Sequence, residues 1–528
     1  MKPEKFFELI KKPSVYGDNI KDIDLIQTHI SYVALTGKYA YKIKKPVNFG
    51  FLDFSTIEKR KKFCEEELRL NNRLCPDIYL DVVSFNKKDG QLEINGEGEV
   101  VDYAVKMKEF AQDKIMSNLL KEDKISDEDI ENICNVLVDF YSKVGSSKEI
   151  NEYGSVDLIK KNTDENFEQT EEFIGKTISK EIFDFIKKQT NNFMKNKQIF
   201  DSRVKNGFIS DCHGDLHTGN IVIEDGEVCI FDCIEFNKRF RYSDVASDIG
   251  FLAMDLDYLG YPYLSSILIE KYVEKSGDEE IFNVLNFYKC YRAYVRGKVA
   301  GFKLNDPNIS DEEKRKTIDI ARKYFDLAYF YAKLFSKKEI SKPVLFITTG
   351  MTGTGKTTIA QKFKVDYSAC LISTDSVRKE MAGIDKFERH HDAYNTGMYS
   401  PEKMMQTYEI ILKKADTSLK QGKNVILDAT FKTKELRDKA KEIAINNNAI
   451  FLILFCDTSE ENVKKYLEER VKKKSISDGR WEIYVKQKDS FEKPKPDEEF
   501  VEIDVSKLYF KYQIDTFSKI FQKNYGED

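Results

Sequence analysis

Over the first hundred residues, apolar and polar positions alternate in short runs broken by one longer helical pattern. The segment "SYVALTGKYAYKIKKPV" predicts two strands joined by a turn at Thr36-Gly37. In "STIEKRKKFCEEELRLNNRL", Ser55 and Glu58 stand at capping-box spacing. Phe63, Glu67, Leu70 and Leu74 then recur at helical spacing, which puts a glutamate among inward-facing apolar residues. "VVDYAVKMKEF" is a further strand running into a connector. The pattern then becomes mostly helical, with Ser126 as the N-cap of "SDEDIENICNVLVDFYSKV". Around residues 207–236, two short strand runs flank the turn "EDGE", and helical periodicity resumes through "ARKYFDLAYFYAKLF". A polar stretch, 336–342, leads to Pro343 and reads as a linker. Beyond it, "VLFITTG", "ACLISTD", "NVILDAT" and "AIFLILFCD" are four apolar strand runs separated by helical patterns, the signature of a parallel sheet covered by helices.

At 528 residues the chain exceeds one typical core, and two or three domains are expected. It is 41% hydrophobic and 33% charged, as in soluble globular proteins. The net charge of −5 comes from interleaved acids and bases, which gives no support to nucleic acid or membrane as the main partner. The nine cysteines are scattered and form no CxxC pair, so the spacing supports neither a zinc knuckle nor a disulfide framework. A reducing, cytoplasmic setting is expected, because the N-terminus lacks the apolar run of a signal peptide and no stretch has the length of a membrane span.

Phosphoryl transfer needs a carboxylate for the acceptor hydroxyl, metal ions for the triphosphate and a lysine for its inner phosphates. "HGDLHTGN" separates Asp215 and Asn220 by five positions, as in the catalytic loop of protein kinases, and Asp232 ends the strand run "VCIFD" twelve residues later. Upstream, "YAYKIKKP" puts Lys42 in a strand, and the following helix offers Glu67 or Glu66 as its partner. The joint pattern "HGDLHTGNIVI…IFDCIEFN…DVASDIGFLAMDL" resembles the aminoglycoside phosphotransferase family, the small-molecule branch of the kinase fold, over residues 1–335. The resemblance implies Asp215 as catalytic base, Asn220 and Asp232 as magnesium ligands, and Lys42 as the α/β-phosphate contact. Asp232 is followed by Cys233-Ile234 instead of Phe-Gly, and no GxGxxG loop precedes Lys42. Asp244 and Asp248 are expected to support the catalytic loop. Lys289, Arg292 and Arg296 recur along one helix, either as a cationic wall for an anionic acceptor or as ion-pair partners of those aspartates.

A second constellation is "GMTGTGKT", Gly350 to Thr357, which matches GxxxxGK[ST] between a strand and a helix. Gly350, Gly353 and Gly355 let the backbone wrap the phosphates, Lys356 reaches the β- and γ-phosphates, and Thr357 binds magnesium; Thr358 continues the helix N-terminus that faces the nucleotide. Asp375 lies at the carboxyl end of the next strand, placed to take a proton from an acceptor, with Arg378 three residues on. Asp428 ends the third strand run and is a magnesium candidate. Arg470 or Arg480 would be a lid arginine in "YLEERVKKKSISDGR", with Arg470 preferred. The Walker loop, Asp-x-x-Arg and basic lid resemble the AAA-type predicted kinases, relatives of polynucleotide 5′-hydroxyl kinases and zeta toxins. "VILDAT" carries one acid where a motor would need two, which points to a phosphotransferase.

Taken whole, the chain resembles bacterial two-domain proteins that join these two modules, most closely in "YAYKIKKPVNFGFLDFSTIEKRKKFCEEELRLN". The expected architecture is an α+β kinase-like two-lobed domain, 1–335, with a small lobe to about 107 and a helical lobe to 335. An α/β P-loop NTPase domain with a parallel sheet follows the linker, at 343–528. The expected activity is ATP- and Mg2+-dependent transfer to a hydroxyl of a small molecule. The alternatives are one active half regulated by an ATP-binding module, or a C-terminal polynucleotide kinase.

Overall fold

The computed structural model describes residues 3–17, 20–307, 309–336, 342–384, 400–471, 479–506 and 519, the side chains of 469–471 excepted. Two compact units emerge, and they do not follow chain order. The first comprises 1–162, 196–255 and 271–281; the second comprises 163–195, 256–270 and 282–528.

The first unit begins with an antiparallel sheet. Its strands are β1 (Asp24–Gln27), β2 (Ser31–Leu35), β3 (Tyr39–Lys44), β4 (Tyr79–Lys88), β5 (Gln91–Ile94) and β6 (Glu99–Lys108), in the order β1-β2-β3-β6-β4-β5. β2 and β3 join at the expected turn, with Val33 opposite Lys42. One face packs Tyr41, Ile43, Phe85 and Ala104 against Phe6, Leu9 and Ile10 of an N-terminal helix. The other carries Ala40, Val105 and Met107 towards Cys64 of the helix Ile57–Asn71. Side chains alternate along a strand, so Lys42 and Lys44 share that second face with Ala40. The helix starts one residue later than the sequence suggests. Thr56, not Ser55, is its N-cap and accepts from the Lys59 amide, because the Ser55 hydroxyl is already bonded to Asp53. Ser126 does cap the helix Asp127–Val144, with Asp129 completing a capping box.

Short pairs follow: β7 (Ile209–Asp211) with β10 (Tyr242–Asp244), and β8 (Ile221–Glu224) with β9 (Glu227–Ile230). The β8–β9 turn puts Asp225 and Gly226 at φ 50° and 85°, the paired positive values of a tight hairpin. Cys75 and Cys229 are joined by a disulfide, with Cα atoms 4.9 Å apart. This corrects the expectation of no disulfide: partners 154 residues apart meet only in the fold.

In the second unit, β11 (Val344–Thr349), β12 (Cys370–Ser373), β13 (Val425–Asp428), β14 (Ile450–Cys456) and β15 (Phe500–Ile503) form a parallel sheet in the order β12-β13-β11-β14-β15. The four apolar runs are the first four strands. β15 was not anticipated, since its "FVEI" alternates buried and exposed positions at a sheet edge and has no apolar run. The chain fills one side of β11 and then crosses to the other, so β11 lies at the point where the winding reverses, where ligands of such sheets bind. Among the described residues, no helix is long and apolar enough to cross a membrane.

Candidate functional sites

In the first unit, Lys42 Nζ lies 2.8 Å from Glu67 Oε1 and is also ion-paired to Asp232. Glu66 instead pairs with Arg69 at 2.7 Å and faces Arg241. Glu67 is fully buried, and its other oxygen meets Lys44 Nζ at 2.6 Å, while Lys44 also pairs with buried Glu235. Burial alone would raise the Glu67 carboxyl; Lys42 and Lys44 outweigh it and hold it below the usual range. Glu235 goes the other way, raised by burial against the pull of Lys44. Lys44 and Glu235 were missed by the sequence reading. The signal for Lys44 was its two-residue spacing from Lys42; Glu235 offered none.

The loop that carries Asp215 is fixed by buried groups. His213 accepts the Asp215 amide on Nδ1 (3.2 Å), and its Nε2 lies 2.9 Å from the Phe231 carbonyl, so a neutral ring protonated on Nε2 satisfies both. Burial lowers the His213 pKa, consistent with that form. Asp248 accepts the amides of His213 and Gly214 at 2.7 and 3.0 Å, supporting the loop as expected of it. Asp244 instead meets Arg203 in a buried pair. Asn220 Nδ2 donates to the Asp215 carbonyl at 3.0 Å and lies 3.3 Å from its carboxylate. Asp232 holds a left-handed backbone, φ 64°, with its amide bonded to the Tyr79 hydroxyl; a non-glycine residue in that region is characteristic of a constrained loop. The carboxylates of Asp215 and Asp232 are partly exposed, at 38% and 43%. Magnesium is usually held by one or two carboxylates together with substrate phosphates. Asp232 with the Asn220 amide oxygen fits that donor set, and among the described residues no cluster of three or more His, Cys, Asp or Glu offers a competing cage.

In the second unit the P-loop runs from β11 into the helix Lys356–Asp366. Gly350, Gly353 and Gly355 all have positive φ, and a Cβ on Gly350 would collide with the Cys456 carbonyl at the end of β14. Thr357 Oγ1 donates to Asp428 Oδ2 at 2.8 Å, which brings the two magnesium candidates together. Burial raises the Asp428 carboxyl, against the opposing pull of Lys356 and the Thr357 hydroxyl. Lys356 Nζ donates to the Met351 carbonyl at 2.8 Å, and Thr358 is half-buried on the first turn of the helix. Asp375 opens the helix Thr374–Ala382 and is ion-paired to Arg378, whose Nε also reaches the Thr374 carbonyl at 3.2 Å. Arg480 is the N-cap residue of the helix Trp481–Lys488; the side chain of Arg470 and the run Lys472–Lys474 lie outside the described residues. Gln487 on that helix accepts the Thr352 amide of the P-loop at 2.7 Å, a contact with no sequence signal.

The cationic-wall reading of the helix Ile281–Phe302 does not hold. Lys289 is fully buried and donates to Asp257 at 2.6 Å, Arg292 is buried, and Arg296 packs on Tyr324. The partner of Lys289 is thus Asp257, and neither Asp244 nor Asp248.

The first unit thus carries an antiparallel sheet and loops holding Asp215, Asn220 and Asp232, and the second a P-loop set between a strand and a helix of a parallel sheet. Residues 345–494 match the AAA domain family model. Uncharacterised proteins of Mycobacterium tuberculosis and Mycobacterium bovis are 29% identical over 440 residues, 83% of this chain and 84% of theirs. Similar solved structures include the amicoumacin kinase hAmiN with AMP-PNP, Ca2+ and Ami (10% identical, TM-score 0.36, 58% of this chain and 88% of that one). A choline/ethanolamine kinase family protein from Mesorhizobium loti is 11% identical with TM-score 0.36, over 62% of this chain and 98% of that one. A gluconokinase from Sinorhizobium meliloti 1021 is 17% identical with TM-score 0.26, over 35% and 96%.

Proposed function

We propose that the protein is a bifunctional phosphotransferase, each half moving the γ-phosphate of ATP to a hydroxyl of a small molecule such as a sugar or related metabolite. The observation that carries this reading is that each half holds its own base candidate and its own oxygen donors for magnesium, along 215–232 in the first and, in the second, as Thr357, Asp375 and Asp428 at the carboxyl ends of the neighbouring parallel strands β11, β12 and β13.

In the first unit, the Asp215 carboxylate would take the acceptor proton as the new O–P bond forms, held in place by the Asn220 and His213 contacts. Lys42, braced by Glu67, would grip the inner phosphates. Bound magnesium would neutralise charge on the β- and γ-phosphates, with Asn220 and Asp232 as its protein ligands here and Thr357 and Asp428 in the second unit. In the second unit, the P-loop amides and Lys356 would cradle the phosphates and Asp375 would serve as base. Arg378, already paired to Asp375, would shift to the transferring phosphoryl or to an anionic acceptor. The burial of Lys289 and Arg292 removes the argument for an anionic acceptor in the first half.

The test is transfer of label from γ-labelled Mg-ATP into a fractionated small-molecule extract, comparing wild type with Asp215→Ala and Asp375→Ala. A labelled metabolite lost in one variant only assigns a kinase reaction to that half. ATP binding with no labelled product in any fraction would overturn the reading.

A further inference from the structure

The hairpin β8–β9 joins the two magnesium candidates of the first unit: Asn220 directly precedes β8, and Asp232 follows β9 by two residues. Cys229 lies on β9 opposite Val222, and its disulfide partner Cys75 belongs to the turn after the helix Ile57–Asn71. Cys75 is buried with Ala40, Val105 and Met107, on the sheet face that also carries Lys42, and Cys229 and Phe231 pack against the same cluster. The segments 71–79 and 229–233 are thus linked at and beside Asp232. The Asn71 side-chain carbonyl accepts the Cys233 amide at 2.9 Å, the Tyr79 hydroxyl accepts the Asp232 amide at 3.1 Å, and the disulfide joins the two segments covalently. Asp232 itself holds φ 64°, a backbone that a non-glycine residue keeps only where its surroundings over-determine it. Of these links the disulfide alone is made and broken by electron transfer. Cys229 is half-buried and the turn beside it, 224–227, is exposed, so a small dithiol reaches its sulfur, whereas Cys75 is buried.

We propose that the Cys75–Cys229 disulfide is a redox-operated clamp on Asp232. Closed, it holds the carboxylate where magnesium and nucleotide need it; opened, it weakens nucleotide binding in the first unit. The reductant is a dithiol. Its thiolate attacks Cys229 Sγ, a mixed disulfide forms, and Cys75 Sγ leaves as a thiolate; the second thiol of the reductant then displaces Cys229 Sγ. Two electrons pass to the protein, both cysteine thiolates take up protons, and the dithiol departs as its own disulfide. The effect on affinity rests on the first unit binding Mg-ATP, as proposed above; the loosening of Asp232 does not.

The test uses the full-length Lys356→Ala chain, in which the P-loop is silenced, after incubation with dithiothreitol or with oxidised glutathione. Alkylation and peptide mass mapping locate the thiols. Among the described residues Cys370 is the one free cysteine that is not buried, so labelling at Cys75 and Cys229 stands out. Both are expected to be labelled after dithiothreitol and neither after oxidised glutathione. On reduction, hydrogen exchange of a peptide spanning 231–236 is expected to quicken, and the Kd for Mg-AMP-PNP to rise by about 5-fold or more. Cys229→Ser is expected to show the reduced behaviour in both buffers, and Cys229→Ala gives the same readout should the first variant fold poorly. No disulfide under oxidised glutathione, a bond that does not yield to dithiothreitol in the folded chain, or unchanged exchange or unchanged affinity after its reduction would each overturn the inference. No Mg-AMP-PNP binding in either state would sink the nucleotide reading beneath it, while faster exchange on reduction would still uphold the clamp.

Discussion

Lys42 and Lys44 lie two residues apart on one strand and share Glu67, yet their surroundings separate them. Lys42 reaches a partly exposed Asp232, whereas Lys44 is 1% exposed and pairs with a second buried acid. Lys42→Met leaves Glu67 paired to Lys44 and is expected to cost about 1 kcal/mol of stability while abolishing nucleotide binding at that site. Lys44→Met removes the ion-pair partner of Glu235 and should cost about 3–5 kcal/mol. Denaturant melts with nucleotide titration distinguish them, and equal stability losses would refute the division. His213 makes a second prediction. Its folded pKa lies below the ordinary 6.5, so the unfolded chain binds the extra proton first as pH falls. Stability is therefore full above about pH 6.5 and declines below it, ahead of carboxylate protonation. Replacing His213 with Gln should flatten the slope of the unfolding midpoint between about pH 6.5 and 5.

Among the elements, the P-loop turns on whether backbone can approach backbone. Gly350 has φ 143° and sits against the Cys456 carbonyl, so Gly350→Ala must displace β11 from β14 or distort the loop. The expected result is a loss of about 1–3 kcal/mol and of nucleotide binding at the P-loop, with binding retained at the Asp215 site. Isothermal titration of the variant checks both; normal P-loop affinity would show that the close approach is dispensable. Periodicity made most elements legible because it records which face is buried. It missed β15, a four-residue edge strand interrupted by the exposed Glu502, and it put one helix start a residue early because Ser55 and Thr56 are equally plausible caps until Asp53 claims the Ser55 hydroxyl.

For the molecule as a whole, the two proposed nucleotide sites make a thermal prediction. A ligand at a hundred times its Kd stabilises its native unit by about 2.7 kcal/mol. Mg-AMP-PNP should raise the unfolding temperature of wild type, and less so that of Lys356→Ala. An identical rise in that variant would mean that the P-loop contributes no binding.

The sequence by itself singled out the two candidate sites, because Asp215 with Asn220 and Asp232, and the GxxxxGK[ST] loop after a strand, are local patterns whose spacing is set by a turn or a helix start. It also supplied both strand periodicities. Only the tertiary structure decided between Glu67 and Glu66, joined Cys75 to Cys229, and buried Lys289 against Asp257 in place of a cationic wall. It likewise gave Lys362 a buried aspartate where the sequence shows an ordinary helical lysine. The physical reason is common to all of these. A charge or thiol gains its role from the partner that desolvation forces on it, and that partner stands tens to hundreds of residues away along the chain.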